Sequence, residues 1–543
     1  QPAASSQQPA ASSQQPAAKI SYPDKSIVNK IIHGDNLEAL KSLLPEYEGK
    51  IDCIYIDPPY NTGKEGWIYN DAVNDPKIKR WLGQVVGKEG EDLSRHDKWL
   101  CMMYPRLKLL HRLLANDGVL FVSIGEDEIH TLRFLLDEIF GRDKRLTTFT
   151  WRTDGNFDNQ AKIKLCHEYI LMYCKKPDLF PYPPVIDISI KDSSKLFKPI
   201  IRNTIVKNGP KNPVSKVILP PYFPADFNSG KIDSRTNSWP HYFSECLVVD
   251  GKTQSPVEVA SGWSSLDLLK EFISNNFEPV FDTKGQETTF VVTQTGAIES
   301  IKKRDKPSHV ISALTGLGST QSMSQELEIA GITFDYPKPV DLICYLISMI
   351  DKKDCLVLDS FAGSGTTGHA VLKLNSQDGG SRHFICIEMM DYVENITAER
   401  IRKIITGYGE EKNRIAGLGG SFEFYTVGNP IFQEDDRLNE SVGINAIRNY
   451  IAYSEGIPEE YQTSQENPFS SYLLGLSRET AWLFYYDPEH VTVLDLDFLA
   501  SLRFGEIKPD NAIIYADRCL LDKSFMTRHG VIFKKIPRDI SRF

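Results

Sequence analysis

Apolar runs and helical repeats alternate along the first part of the chain, from about residue 27 to residue 176. Short apolar runs at 51–56 and 119–124 predict buried strands, because each is too short for a core helix. Between them, apolar residues at helical spacing over 100–114 predict a long amphipathic helix. This β-α-β rhythm favours an α/β fold with a doubly wound, mostly parallel sheet.

The alternation of predicted strands and helices is absent between residues 177 and 333 and resumes from 334 to 429. The middle segment is rich in Pro, Asn, Ser and Lys and contains only short β-like runs. A structureless loop of this length is uncommon in a compact domain, so the segment predicts an inserted domain. After it, the runs 355–359 and 383–387 predict two more strands of the sheet.

Residues 1–26 begin with the repeated heptad Gln-Pro-Ala-Ala-Ser-Ser-Gln, which contains no large apolar side chain. Such a segment cannot offset its ordering entropy by burial and predicts a disordered tail. With the codons CAG CCA GCA GCC AGC AGC CAG, one heptad consists of repeats of the seven-base unit CAGCCAG. Gain or loss of one unit shifts the reading frame, which predicts phase-variable expression. A synthetic tag or an ordinary linker is the alternative.

The net charge of −10 is unevenly distributed along the chain. Between residues 191 and 235, nine Lys and Arg residues stand against three acidic ones, so this part of the chain could bind a nucleic acid; an ordinary solvated surface is the alternative. The candidate DNA-binding residues are Lys191, Lys195, Lys198, Arg202, Lys207, Lys211 and Lys216.

Residues 430–543 predict an acidic C-terminal α+β domain that docks a protein. Between 430 and 500, thirteen acidic residues stand against three arginines, a balance that repels phosphate. Aromatic residues favour protein interfaces, and this region contains Tyr450, Tyr453, Trp482, Phe484, Tyr485 and Tyr486.

Nine cysteines are scattered without a CxxC pair, which indicates a reduced, cytoplasmic protein without disulfides or a structural metal site. No apolar run reaches the roughly 18 residues that a membrane span needs. We therefore expect no metal, no signal peptide and no membrane contact.

The run 51–56 ends in Asp57-Pro58-Pro59-Tyr60. Two consecutive prolines fix φ and disfavour helical backbone before each of them, so the chain leaves the strand as a stiff, extended elbow. Open α/β sheets bind ligands at this edge. Tyr60 offers a π-face for a planar base, and Asp57 and the Pro58 carbonyl offer acceptors for an exocyclic amino group. A Pro-Pro turn with Asp57 as a cap is the structural alternative.

Gly363, Gly365 and Gly368 form G-x-G-x-x-G between a predicted strand and helix, and Glu388 ends the next strand. The glycines let the backbone approach a nucleotide-like ligand, and the carboxylate is placed for ribose hydroxyls. The pattern alone leaves NAD and S-adenosylmethionine open. It is not a Walker loop, because His369 stands where that loop has lysine.

Together these motifs resemble those of β-class amino-methylating DNA methyltransferases, in which the motif order is circularly permuted. The segment 57–60 resembles their catalytic motif in its adenine-N6 form, and 361–367 resembles their cofactor motif. The further segments that resemble family motifs are Gly34–Leu37, His96–Trp99, His167–Ile170 and Phe334–Pro339. For His96 and Trp99, a role in the core is equally open.

The resemblance implies a Rossmann-like methyltransferase sheet with a catalytic half at 27–176, a target-recognition domain at 177–333 and a cofactor half at 334–429. It implies S-adenosylmethionine as cofactor, double-stranded DNA as substrate and N6 of a flipped-out adenine as methyl acceptor. Catalysis is assigned to Asp57, Pro58, Pro59 and Tyr60. The implied cofactor-binding residues are Asp35, Asn36, Lys338, Pro339, Asp359, Phe361, Gly363, Gly365, Thr366 and Glu388. Lys338 could equally be a surface lysine.

The motif Asp57–Gly63 and the acidic extension also resemble the modification subunit of Type III restriction–modification systems. This implies a bacterial, nucleoid-associated homodimer that pairs with a helicase–nuclease restriction subunit. Several alternatives stay open: N4-cytosine methylation, an orphan adenine methyltransferase, a specificity subunit with an inactive methyltransferase fold, an RNA or protein methyltransferase, and an NAD-dependent oxidoreductase.

Overall fold

The computed structural model describes residues 28–62, 90–153, 162–191, 193–283, 285–303, 307–410, 414–433 and 437–541. The predicted tail at 1–26 lies outside these ranges. The described residues divide into two compact units, one built from the chain up to residue 181 and from residue 312 onwards, the other from residues 182–311.

A nine-stranded sheet forms the centre of the larger unit. Its strands are β1 (Lys30–His33), β2 (Ile51–Ile56), β3 (Leu114–Ile124), β4 (Arg145–Arg152), β5 (His167–Cys174), β6 (Ala313–Leu314), β7 (Leu356–Asp359), β8 (His383–Glu388) and β9 (Glu423–Thr426). Their order is β6-β4-β5-β3-β2-β7-β8-β1-β9. All neighbours are parallel except β5, which runs antiparallel to β3 and β4. The predicted α/β fold with a mostly parallel sheet is confirmed.

Helices cover both faces of this sheet. They are α1 (Asn36–Tyr47), α2 (Gly90–Leu113), α3 (Ile129–Phe140), α4 (Thr320–Ile329), α5 (Val340–Ser348), α6 (Thr366–Asp378) and α7 (Glu399–Thr406). Helices α1, α2 and α3 share one apolar core with alternate residues of the strands, including Ile385. The neighbouring Phe384 points to the opposite face, where a Cβ at Gly368 of α6 would lie 3.4 Å from its ring.

The sequence predicted a helix over 100–114, but α2 already includes residues from Gly90 onwards, so His96 and Trp99 lie inside it. No proline and no second glycine stands between Gly90 and Trp99, and nothing there ends the helix.

The direction of β5 brings its first residues to the edge where the parallel strands end. In the register of this pair, Ile124 at the end of β3 faces Tyr169 near the start of β5. Side chains from the start of β5 therefore lie beside residues that follow β2 and β7.

Residues 182–311 form small antiparallel sheets around a core that contains Phe223, Phe272 and Phe290. The described strands are Ile200–Thr204, Ser215–Leu219, Gly230–Ile232, His241–Tyr242, Cys246–Val249, Lys252–Thr253, Val257–Ser261, Val280–Phe281, Glu287–Val292 and Ile298–Lys303. The described helices are the short 3-10 helix Lys195–Phe197 and the α-helix Leu266–Ser274. The unit is shorter than the predicted segment 177–333, because β6 and α4 belong to the larger unit.

The chain enters and leaves this unit along two adjacent segments. The N–H of Asp187 donates to the carbonyl of His309, and the N–H of His309 donates to the carbonyl of Val185, both at 2.8 Å.

The C-terminal region adds a four-stranded mixed sheet to the larger unit. Its strands are Leu473–Leu476, Thr480–Phe484, Asn511–Ala516 and Val531–Lys535, and its helices are Ile444–Ser454, Leu496–Ser501 and Lys523–Arg528. Two further strand pairs are Gly407–Tyr408 with Ile415–Ala416, and Val493–Leu494 with Arg518–Cys519. The region contacts α2, since Arg112 donates to the Tyr453 hydroxyl at 2.8 Å.

The aromatic residues that suggested a docking surface are buried or half-buried. They pack in or against the cores of the C-terminal region, apart from Tyr453, which packs against the core of the main sheet; the six are Tyr450, Tyr453, Trp482, Phe484, Tyr485 and Tyr486. That argument for docking was therefore wrong, and the interaction role of this region stays a prediction. None of the described helices is long and apolar enough to cross a membrane.

Candidate active site

The Pro-Pro elbow lies at the carboxyl end of β2, in the middle of the sheet edge. Strand β2 pairs with β3 on one side and with β7 on the other. The elbow therefore stands between the end of β3 and the glycine-rich turn after β7. All residues of β2 except Asp52 are buried, so Asp57 is the first polar side chain at this end.

Among the described residues, the contact that holds the Asp57 carboxylate is made at one of its two oxygens. Its Oδ2 atom lies 2.9 Å from Nζ of Lys338, whose side chain is 8% exposed. Its Oδ1 atom is buried and has no hydrogen-bond partner among the described residues. Burial raises the pKa of the Asp57 carboxyl; the Lys338 ammonium opposes this rise, and the charge of Glu168 adds to it. A buried acceptor of this kind is unfavourable unless a ligand or a water molecule supplies the donor.

The ring of Tyr60 is fixed from three sides. Its hydroxyl donates to Oε2 of Glu168 at 2.8 Å. The Lys338 ammonium lies 4.9 Å from the ring centroid, a cation–π distance. A Cβ at Gly125 would lie 2.9 Å from Cδ2 of the ring, so only glycine leaves Tyr60 its position. The ring is therefore preorganised before any ligand arrives.

The far end of the elbow is also tied to α2 and α3. The indole of Trp99, which is fully buried, donates to the Pro59 carbonyl at 2.7 Å. Asn61 donates to the buried Glu128, which also contacts His96. Trp99 is thus both a core residue and a support of the elbow.

The glycine-rich turn follows β7 directly. Gly363 and Gly365 have φ values of 51° and 82°, in the left-handed region that favours glycine. The N–H of Gly363 donates to Oε2 of Glu388 at 2.8 Å, and its carbonyl accepts from the Thr397 hydroxyl at 2.6 Å. Hydrogen bonds therefore hold both the N–H and the carbonyl of Gly363, just before helix α6 begins at Thr366.

Two acidic residues organise this turn. Burial raises the pKa of Glu388, while the N–H groups of Met390, Gly363 and Met389 oppose the rise. Burial also raises the pKa of Asp359 to about 7, although its oxygens accept from the Thr367 hydroxyl and the Phe361 N–H.

Arg400 of α7 fastens the turn from behind. Its side chain is 1% exposed. Nη1 donates to the carbonyl and hydroxyl of Ser364 at 3.3 and 2.7 Å and to the Thr366 hydroxyl at 3.0 Å. Burial lowers the pKa of Arg400 to about 10, so the guanidinium is charged at neutral pH.

Replacing Arg400 with methionine is expected to lower the free energy of unfolding by about 2–4 kcal/mol, because buried hydrogen bonds to a charged group are lost. We also expect a higher dissociation constant, measured by calorimetry, for S-adenosylmethionine, the cofactor that the sequence resemblance implies. Arg402→Met on the same helix is the matched control, since that side chain is 46% exposed and should cost at most about 1 kcal/mol. An equal decrease in the free energy of unfolding in both variants would contradict a role of Arg400 in holding the glycine-rich turn.

Asp35 and Asn36 lie at the end of β1, where helix α1 begins. Asp35 caps the helix by accepting from the Leu37 N–H at 2.8 Å. Asn36 is buried and donates to the Ser360 carbonyl of the neighbouring turn at 3.2 Å. Arg106 of α2, which is fully buried, contacts both residues. The two residues are therefore held beside the glycine-rich turn.

Lys338 is not the surface residue that the sequence left open. Its ammonium lies 2.9 Å from Asp57 and 3.3 Å from Glu168, and Thr366 donates to its carbonyl at 3.2 Å. Pro339 follows as the N-cap of α5. Lys338 thus links the elbow to the glycine-rich turn, and the two distant motifs meet at one edge of the sheet.

The basic residues proposed for DNA contact lie in the smaller unit. Arg202 is paired with Asp226 at 2.8 Å and with Glu299 at 3.1 Å, and Lys216 is paired with Glu258 at 2.8 Å. Lys191, Lys198, Lys207 and Lys211 are exposed, whereas the side chain of Lys195 lies outside the described residues.

Sequence reasoning missed Glu128, Gly125 and Arg400, and it assigned no role to Glu168. The only signal for Glu168 was its place in the segment 167–170. The other three carry no motif, because their importance arises from what packs against them.

The acidic Pro-Pro-Tyr elbow and the glycine-rich turn, which resemble motifs of DNA methyltransferases, thus lie side by side at one edge of a mostly parallel sheet. The family model described as DNA methylase matches residues 51–399, which include both motifs. The chain belongs to this DNA methylase family.

Three named proteins are similar to this chain over two thirds of its length or more. The chain is similar to the Type III restriction-modification enzyme EcoPI Mod subunit of Escherichia phage P1, with 33% identity over 67% of this chain and 58% of that protein. It is 28% identical to the StyLTI Mod subunit of Salmonella typhimurium, over 83% of this chain and 68% of that protein. It is 27% identical to the Type II methyltransferase M.KpnI of Klebsiella pneumoniae, over 67% of this chain and 82% of that protein. The chain thus spans 58% to 68% of the length of the two Mod subunits.

Proposed function

We propose that this chain is a site-specific DNA methyltransferase that acts on the N6 amino group of adenine with S-adenosylmethionine as cofactor. The observation that carries the proposal is the buried Oδ1 of Asp57, which has no hydrogen-bond partner among the described residues, beside the fixed ring of Tyr60. An exocyclic amino group brings two N–H donors, and one of them satisfies this oxygen. Membership of the DNA methylase family supports the same activity.

The described residues fit S-adenosylmethionine. The left-handed turn at Gly363 leaves no side chain between backbone and ligand, and Glu388 stands at the end of the next strand. We expect Glu388 to bind the ribose and Asp35 the adenine side. Phe361, Gly363, Gly365 and Thr366 would line the methionine side, with Asn36, Asp359 and Pro339 holding the elements around them.

When it is bound, this cofactor supplies an electrophilic methyl carbon: the N6 lone pair forms the N–C bond, the S–C electron pair stays on sulfur, and N6 then loses a proton to water. The target adenine must first leave the duplex, at a cost of roughly a few kcal/mol. Stacking of the adenine on Tyr60 offsets about 1–3 kcal/mol of this cost. Asp57 Oδ1 and the Pro58 carbonyl orient the amino group, and the carboxylate stabilises the positive charge that develops on N6.

We also propose that the chain acts as the modification subunit of a Type III restriction–modification system. The two Mod subunits named above support this assignment. The proposal includes double-stranded DNA bound by the 182–311 unit, a homodimer, a helicase–nuclease restriction partner and a nucleoid location in a bacterial cytoplasm. Phase-variable expression remains a proposal from the heptad repeat, and codons that break the seven-base period would refute it.

An adenine methyltransferase without a restriction partner is the second candidate. The similarity to M.KpnI, which covers 82% of that Type II enzyme, favours it, because the matched part is not confined to Mod subunits. The two candidates differ in whether the chain binds a restriction subunit. The chain is tagged and co-expressed with a helicase–nuclease encoded beside its gene, and then purified by the tag. Co-purification of the helicase–nuclease supports the modification subunit, and its absence from the purified sample, or from the neighbourhood of the gene, supports the enzyme without a restriction partner.

Incubation with S-adenosylmethionine and unmethylated DNA is expected to produce N6-methyladenine at a single short sequence. Nucleoside mass spectrometry identifies the modified base, and modification-sensitive sequencing identifies the site. N4-methylcytosine as the sole product would refute the adenine assignment, and absence of any methylated base would refute the function.

A further inference from the structure

Lys338 stands between two carboxylates that come from different parts of the chain. Its Nζ atom lies 2.9 Å from Asp57 Oδ2 and 3.3 Å from Glu168 Oε2. The same Glu168 oxygen accepts the Tyr60 hydroxyl. The side chains of Asp57 and Glu168 are 24% and 23% exposed, so water screens this cluster only in part.

The cluster contains two negative charges and one positive charge. Without Lys338, the two neighbouring carboxylates would repel each other, and the pKa of Asp57, which burial already raises, would rise further. A protonated Asp57 could present a donor to the amino group where an acceptor is needed. With Lys338 in place, Asp57 stays an acceptor, and the net charge of −1 favours positive charge on N6.

We propose that Lys338 and Glu168 are positioning residues for methyl transfer, which together set the charge and orientation of Asp57 and Tyr60. Lys338 keeps Asp57 ionised by binding Oδ2 and leaves Oδ1 open. Glu168 holds the Lys338 ammonium and the Tyr60 hydroxyl with one oxygen. This inference rests on the proposed function, and it assigns Lys338 to the elbow instead of to the carboxylate of the cofactor.

Other titratable groups also face Asp57. They are Tyr55 of β2, Tyr60 of the elbow, Glu168 of β5, Asp359 of β7 and Lys338. Burial raises the pKa of Tyr55 and of Tyr60 well above their ordinary values, so both are neutral in the range of the test. Asp359 titrates near neutrality but is held by Phe361 and Thr367, not by Lys338.

The test is the pH dependence of the single-turnover rate of DNA methylation. Activity requires ionised Asp57, so the acid limb of the profile follows its ionisation. Lys338→Met removes a positive charge and should move the limb to higher pH, by about one unit or more. Glu168→Gln removes a negative charge but keeps an acceptor for Tyr60, and should move the limb to lower pH. Lys338→Arg should leave the limb near its wild-type position.

The matched control is Lys352→Met. Lys352 also joins two carboxylates, Asp52 at 2.6 Å and Asp117 at 2.7 Å, but near the opposite end of β2. This variant should lose stability without moving the limb. Rates that fall equally at every pH in the Lys338 and Glu168 variants would overturn the inference.

Two further outcomes are decisive. If Lys338→Met does not fold, the Glu168→Gln variant decides the test. An acid limb of the rate profile at lower pH than in the wild type supports the inference, and an acid limb at the wild-type pH overturns it. A wild-type protein that fails to methylate DNA overturns the proposed function as well, whereas an active wild type with unmoved limbs in the variants overturns this inference alone.

Discussion

Replacing Asp57 with alanine is expected to lower the rate of methyl transfer by at least about 10²–10³-fold, the scale for losing one preorganised electrostatic contact in an active site. The substitution removes the buried Oδ1 acceptor. It also removes the negative charge that, in the proposed function, stabilises positive charge on N6. It also leaves Lys338 with Glu168 as its remaining carboxylate in the cluster. Single-turnover assays with labelled cofactor measure the rate, and calorimetry should show that S-adenosylmethionine still binds.

Asp52→Ala provides the matched control for this substitution. Asp52 lies on the same strand, near its opposite end, and accepts from Lys352 at 2.6 Å and from the Leu356 N–H at 2.9 Å. Its loss should lower the melting temperature with little change in the transfer rate. A rate that survives in Asp57→Ala, or one that falls equally in both variants, would be incompatible with a catalytic Asp57.

The second large effect is expected for Gly365→Ala, which should both destabilise the protein and weaken cofactor binding. A left-handed φ of 82° costs a residue with a Cβ about 1–2 kcal/mol. The added Cβ would also lie 3.2 Å from Cγ2 and 3.3 Å from the carbonyl oxygen of Thr397, and such overpacking costs about 1–3 kcal/mol. Relief of this crowding would displace the turn, so the dissociation constant of S-adenosylmethionine should rise at least about tenfold, which corresponds to 1.4 kcal/mol.

Gly379→Ala separates backbone strain from crowding. Gly379 caps the other end of α6 with a φ of 66°, and a Cβ there would meet nothing within 4 Å. This variant should show the strain alone, about 1–2 kcal/mol, with unchanged cofactor affinity. Equal cofactor affinity in the two variants would show that the space at Gly365 is irrelevant to binding.

The sheet and its two motifs could be predicted because their signals are local. The run 51–56 is apolar, and the prolines at 58 and 59 end it. Both features can be recognised within ten consecutive residues, without knowledge of which distant residues pack against them. The same holds for the turn at Gly363 and Gly365. Both motifs also lie directly after strands, and strand ends are where an α/β sheet binds its ligands.

The contacts between these motifs could not be predicted in the same way. Lys338, Asp57 and Glu168 meet because β5 runs antiparallel and because Lys338 precedes α5, and no local pattern carries either fact. Composition also misled at the C terminus, where aromatic residues such as Phe484 fill a core. Residue type alone does not distinguish an aromatic core from an aromatic interface.

The paired backbone segments at Val185–Asp187 and His309 have a consequence for how such a protein can diversify. A module whose two termini emerge next to each other can be exchanged for another at two nearby junctions, with no change to the strands that hold Asp57 or Gly363. If the 182–311 unit reads the target sequence, as proposed above, recombination of one continuous piece of gene would change the target and leave the residues of the active site unchanged.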